Sequence, residues 1–161
     1  MHAQVAWTPA SALSFVISGA RGAEQTHNNA NMRSLFDAYA TWNITDDLLL
    51  GTCIDIGGED NVAAGGGAAT WKGIAGYGRY AISSTFALCP RAEVFDDING
   101  VRTGTPQTLR SFTLTPEYRP TAHFILRGDL RIDQSTAAVF DKQGTMTTSQ
   151  TTVSVNTVVV W

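Results

Sequence analysis

The chain has 161 residues, room for one domain, with 43% hydrophobic residues, 16% charged residues and a formal net charge of −3. No stretch approaches the roughly 20 apolar residues that a membrane-spanning helix requires, and the slight acidity supplies no basic patch for nucleic acid. The two cysteines, Cys53 and Cys89, lack CxxC spacing, which argues against a cysteine-bound zinc and a disulfide scaffold.

Apolar–polar alternation at period 2 marks strands whose two faces meet different surroundings. Nine such runs follow one another: 2–7, 12–21, 34–43, 47–56, 71–81, 85–95, 109–118, 123–134 and 151–161. The first ends on Trp7, before the turn formers Thr8-Pro9-Ala10-Ser11. In the third, Phe36, Ala38, Ala40 and Trp42 oppose Asp37, Tyr39 and Thr41, and the turn 43–47 follows. In the fourth, Leu48, Leu50, Thr52, Ile54 and Ile56 oppose Gly51, Cys53 and Asp55. The fifth is weaker, with Ile74, Gly76, Gly78 and Tyr80 against Ala75, Tyr77 and Arg79. In the sixth, Phe86, Leu88, Pro90, Ala92 and Val94 oppose Cys89, Arg91 and Glu93. The seventh sets Phe112, Leu114, Pro116 and Tyr118 against Ser111, Thr113, Thr115 and Glu117. The eighth sets Phe124, Leu126, Leu130 and Ile132 against Arg127, Asp129, Arg131 and Asp133. The ninth carries Val153, Val155, Thr157, Val159 and Trp161 on one face.

The aromatic marks Trp7, Trp42, Tyr80, Tyr118 and Trp161 are spaced 35, 38, 38 and 43 residues apart and fall on the apolar faces. Two strands of about 9–11 residues with one short turn and one longer loop give this period. Connections after the aromatics are short, whereas those at the other strand ends, about 22–33, 57–70, 96–108 and 135–149, are long and rich in Gly, Asn and Thr. Short turns at one end, long loops at the other and an aromatic girdle are the marks of an outer-membrane barrel. The expected fold is all-β: an antiparallel up-and-down transmembrane β-barrel with about 8–9 visible strands, either complete or part of a larger barrel. A soluble sandwich or lipocalin-type barrel shares the alternation but leaves the aromatic ends and loop asymmetry unexplained.

Four alternating charges on the run 123–134 cannot face a packed apolar core without large desolvation costs, but they can line a water-filled lumen. The candidate lumen charges are Asp37, Asp55, Arg79, Arg91, Glu93, Glu117, Arg127, Asp129, Arg131 and Asp133. Two uses stay open for them: a transverse field that tunes solute preference, or an ion-pair network filling a narrow interior. Asp96-Asp97-Ile98-Asn99-Gly100 lacks EF-hand spacing and reads as a turn, and the Gly-rich stretch 63–68 reads as a flexible outer loop. His2, His27 and His123 are far apart and form no catalytic set, so neither an enzyme nor a metal or other cofactor is expected. Cys53 and Cys89 lie on runs two apart, too distant for a disulfide.

Several segments carry a resemblance. Asp37-Ala38-Tyr39-Ala40-Thr41-Trp42, the stretch from Trp71 to Tyr80, the stretch from Arg91 to Gly104, and Phe112-Thr113-Leu114-Thr115-Pro116-Glu117-Tyr118-Arg119 together resemble the outer-membrane β-barrel porins of Gram-negative bacteria, the OmpL-like group. The resemblance runs from about Trp7 to the end and implies an outer-membrane barrel, a diffusion channel for small hydrophilic solutes. The alternative function is a non-conducting barrel that serves as an anchor or binds partners through its extracellular loops. The expected partners are outer-membrane lipid, small hydrophilic solutes and, through the C-terminal strand, the barrel-assembly machinery. The N-terminus has neither the basic nor the apolar region of a signal peptide, and nine strands depart from the even number of single-chain bacterial barrels. An N-terminally truncated single domain over 1–161 is therefore expected, or else an eight-stranded barrel with residues 1–7 outside the ladder or replacing another edge.

Overall fold

The computed structural model describes residues 1–161 as an all-β chain without a helix. The strands are β1 (His2–Ala10), β2 (Leu13–Gly22), β3 (Arg33–Asn43), β4 (Leu48–Glu59), β5 (Ala69–Ala81), β6 (Phe86–Asp97), β7 (Gln107–Thr121), β8 (Phe124–Ser135), β9 (Phe140–Lys142), β10 (Thr145–Thr147) and β11 (Ser149–Val159). Nine of them form one sheet in the order β1-β2-β3-β4-β5-β6-β7-β8-β11, each antiparallel to its neighbour. This is the up-and-down arrangement expected, at the expected positions. β9 and β10 make a small separate hairpin inside the last long loop; with three residues a side, they are too short for alternation to reveal.

Register decides the faces. One cross-strand row runs Trp7, Phe15, Ala40, Thr52, Gly76, Ala92, Phe112, Ile132. The neighbouring row on the opposite face runs Ser14, Thr41, Gly51, Tyr77, Arg91, Thr113, Arg131, Thr152. Register shifts occur only beside two short turns, between Trp7 and Ala10 in β1–β2 and between Tyr118 and Thr121 in β7–β8. Through the body of the sheet no strand slips by one residue, which would exchange its faces, so the sheet has one apolar and one polar side. Trp7, Trp42, Tyr80 and Tyr118 all lie on the apolar side beside the short turns, and Trp7 stacks on Phe15 at 5.6 Å between ring centroids.

The burial pattern is inverted relative to a water-soluble protein. Only 12 of 161 residues are buried, and they include Glu59, Asp97, Gln107, Glu117 and Asp133. Meanwhile Ile54, Ile74, Phe112 and Leu130 stand exposed on the apolar side, with no second layer over them. A sandwich would bury that side against another sheet; here a single sheet presents it outward. Cohesion comes from the ladder, which supplies 84 of the 103 backbone–backbone hydrogen bonds.

Three expectations need correction. Residues 2–7 pair with β2 through His2–Trp7, so they are not outside the ladder. Thr8, Pro9 and Ala10 extend β1 instead of turning; the register shifts between Trp7 and Ala10, where Pro9, lacking an N–H, can be accommodated. Trp161 lies beyond the last strand, which ends at Val159; the Val160 N–H donates to the His123 carbonyl at 2.9 Å, and Trp161 itself is fully exposed. The sheet is not closed: the outer edges of β1 and β11 are unpaired, and both strands run toward the short-turn end.

Large rings on the polar side lie across glycines. Gly57 and Gly51 are covered by the Trp71 indole and the Tyr77 ring, and a Cβ at either position would fall inside the ring. Gly76, on the apolar side, has open space where its Cβ would be. Gly57→Val should therefore cost about 1–3 kcal/mol through overpacking, read as a lower urea midpoint in lipid vesicles. Gly76→Val should leave the midpoint unchanged or raise it; equal effects at both positions would contradict the packing described.

Candidate functional site

All ten candidate lumen charges lie on the polar side of the sheet, but they divide into two groups. Eight stand on β5–β8: Arg79, Arg91, Glu93, Glu117, Arg127, Asp129, Arg131 and Asp133. Asp37 and Asp55 stand apart on β3 and β4.

Glu117 organises the first group near the short-turn end. Its side chain is 2% exposed and is gripped by three guanidinium groups. Arg127 faces it directly across the β7–β8 register, donates from Nε at 2.9 Å and holds Nη2 at ion-pair distance, 2.7 Å. Arg79 reaches from β5 with Nε at 3.2 Å and Nη2 at 3.0 Å. The reach is possible because Ala87, the β6 residue opposite Glu117, is small and buried. Arg119 adds Nη2 at 3.3 Å, while its buried Nε has no partner. A buried carboxylate needs such compensation, since desolvation alone would cost it several kcal/mol.

A second knot lies farther along the same strands. Arg131 bridges Glu93 at 2.9 Å and Asp133 at 2.8 Å, and Arg91 pairs with Glu93 at 2.5 Å. Asp133 also accepts from the Ser111 hydroxyl and from Gln150 Nε2 at 3.0 Å. Asp129 has no cation and is held instead by Thr115 Oγ1 at 2.6 Å, Ser154 Oγ at 3.0 Å and Asn156 Nδ2 at 3.1 Å. Between the knots, Arg79, Arg91 and Arg131 border a recess of about 570 Å³ with Tyr77 and Asp129.

On the other part of the wall, Asp37 and Asp55 face each other directly across β3–β4. Asp37 accepts from Ser18 Oγ at 3.2 Å, and neither carboxylate has a salt-bridge partner. Tyr39 and Tyr77 stack at 6.3 Å between β3 and β5, over the gap that Gly51 leaves. At the loop end, Arg33 and Glu59 pair at 2.6 Å, and Gln25 from the β2–β3 loop donates to the Asp60 carbonyl at 2.7 Å, tying two loops together.

Sequence reasoning missed Arg119, the Arg33–Glu59 pair, Asp97, Trp71 and Arg102. Arg119 had a signal, since it continues the phase of Glu117. Asp97 appeared only as a turn former. In the structure it is fully buried and accepts from the backbone N–H groups of Val101 at 3.0 Å, Arg102 at 2.9 Å and Thr103 at 2.7 Å, and from Thr103 Oγ1 at 2.9 Å.

A family model described as "Putative beta-barrel porin-2, OmpL-like" matches residues 1–160 of this inside-out, up-and-down sheet. The chain belongs to the OmpL-like β-barrel porin family. No curated protein and no solved structure matches it. The two-sided sheet agrees with this family: porin barrels in general carry polar residues toward the interior and apolar residues toward lipid.

In this porin-family sheet, Glu117 is the charge whose removal should matter most. Glu117→Gln would leave three guanidinium groups facing one another. It should cost about 1–3 kcal/mol, read by urea unfolding in vesicles, and the further change Arg127→Gln should recover part of the loss. If the double variant were less stable than Glu117→Gln by the full cost of Arg127→Gln alone, the two groups would be uncoupled.

Asp97 gives a pH signature. Roughly ten residues of a tilted strand cross the membrane, so Asp97, the twelfth residue of β6, lies past the crossing at the loop mouth. Burial pushes its carboxyl up, but the hydrogen bonds from Thr103, Arg102 and Val101 outweigh that and hold it below the ordinary value of 3.8. A depressed carboxyl contributes stability that is complete above the ordinary value and is lost as pH falls through the folded one. Proteolysis within 98–106 should therefore accelerate as pH falls below about 4. In Asp97→Asn the loop should be cut faster near neutrality, and that acid-dependent change should be absent.

Proposed function

We propose that the protein is an outer-membrane channel for passive diffusion of small hydrophilic solutes, without catalysis or cofactor. The observation that carries this reading is the two-sidedness of the sheet. Apart from shifts beside two short turns, nine strands keep one register, so the apolar side can face lipid while the polar side, with its paired arginines and carboxylates, faces water. A closed barrel would curve this wall round a lumen, setting the arginine-rich β5–β8 wall against the acidic pair on β3 and β4. Such a transverse field orients dipolar solutes and penalises long apolar ones. The family match supports the porin class and an outer-membrane location. Its proposed partners are lipid along the apolar side, the solutes in the lumen, and the assembly machinery that reads the last strand and Trp161.

Reconstitution of the full-length protein in planar bilayers tests the reading. Stepwise conductance is expected. The double variant Arg79→Gln/Arg127→Gln should shift the reversal potential in a salt gradient toward cation preference, since it removes lumen cations. Absence of steps from correctly folded protein would instead favour a non-conducting anchor whose interior is filled by the ion-pair network.

A further inference from the structure

The β6–β7 loop does not simply project from the sheet. Asp97 gathers the N–H groups of Val101, Arg102 and Thr103 around one carboxylate, and Gly100 makes the reversal with φ +67°. The loop is thereby laid over the polar side. The Arg102 guanidinium sits 5.1 Å above the Trp71 ring, and Trp71 in turn rests on the bare backbone of Gly57. Arg102, Trp71, Phe95, Leu35, Asp37 and Asp55 together line a cavity of about 420 Å³ at the outer end of the polar side.

The electrostatics of this cavity differ from those of the β5–β8 wall. There, Glu93, Glu117 and Asp133 each hold a guanidinium, and Asp129 is bonded by hydroxyl and amide groups. In the outer cavity Arg102 has no carboxylate partner, and Asp37 and Asp55 have no cation partner. One cation and two anions are thus held apart, the cation by a pinned loop and the anions by strand register. Apolar surface from Phe95, Leu35 and Trp71 lies among them. A simple cation would leave Arg102 unused, and a simple anion would be repelled by the two carboxylates. A neutral solute could hydrogen-bond to these groups but would neutralise none of the three charges. A small molecule carrying both charges and a short apolar group satisfies all the walls, and the volume suits such a ligand.

We propose that this cavity is a binding subsite for zwitterionic α-amino acids with apolar side chains. Arg102 takes the carboxylate, Asp37 and Asp55 take the ammonium, and Phe95 and Leu35 receive the side chain. Its role as a selectivity station on a permeation route rests on the channel reading; the binding itself does not.

The test uses the full-length protein with three probes that share one apolar tail: L-leucine, its cationic amide leucinamide, and the anion 4-methylpentanoate. In lipid vesicles, tryptophan fluorescence should respond to L-leucine at concentrations about tenfold lower than to either single-charge analogue. Trp71→Phe should remove most of that response. Arg102→Gln and Asp55→Asn should each weaken the L-leucine response about tenfold, and Arg102→Lys, which keeps the charge without the planar fork, should fall between. Equal responses to the three probes, or an undiminished leucine preference in both Arg102 variants, would overturn the subsite. Bilayer currents separate the two readings. A conducting channel whose fluorescence responds equally to the three probes defeats the subsite and leaves the channel. Leucine-selective fluorescence from a protein that never conducts defeats the channel and leaves the subsite.

Discussion

Backbone N–H and C=O groups at the depth of a hydrocarbon layer must find partners within the protein, because no water is there to supply them. Within the sheet that requirement is met by pairing each strand with the next long strand, β8 with β11 across the β9–β10 hairpin, so that only the outer edges of β1 and β11 stay open, and the other features of the molecule follow from it. A ladder that carries the cohesion has no need of an apolar core, so the apolar residues are free to face outward. The side chains left on the other side can be charged. Glu117 and Asp133 are therefore among the most buried side chains, while Ile74 and Phe112 are exposed.

The charged side is ordered by register more than by proximity in sequence. Arg127 meets Glu117 because the β7–β8 pairing puts them opposite one another. Arg79 reaches the same carboxylate from two strands away only because β6 carries alanine at the intervening position. Pairs of this kind are half open to the polar side, so their net energetic yield is small. Their larger effect is positional: they spread five arginines along β5–β8 in fixed orientations and leave Asp37 and Asp55 uncompensated on β3 and β4. The separation of charge across the sheet is thus a product of which groups can reach which.

Strand positions and facial phase were legible in the sequence because both depend on local period. The placement of all ten candidate charges on the polar side follows from that phase alone. The family resemblance rests instead on particular segments, which prove to be β3, β5, β6 with its following loop, and β7. Partner choice was not legible, since it depends on cross-strand register and on absences such as the missing side chain of Gly57 beneath Trp71. Asp97 shows the limit most clearly. Its segment reads as a turn from composition, yet what fixes the loop is a carboxylate collecting N–H groups four to six residues ahead. No periodicity announces such a contact. The β9–β10 hairpin was hidden for a related reason, three residues being less than two full repeats of a strand pattern.

The free edges of β1 and β11 have a consequence that comes from counting. With an odd number of strands in strict alternation, the first and the last point the same way. Direct joining of these edges, within one molecule or between two copies sharing a membrane orientation, would produce a parallel seam. An antiparallel seam would require an odd number of intervening strands, whatever their source. Parity therefore divides the possible closed forms into two kinds that differ in hydrogen-bond slant along a single line of the wall, and a cross-link between edge residues of β1 and β11 would distinguish them.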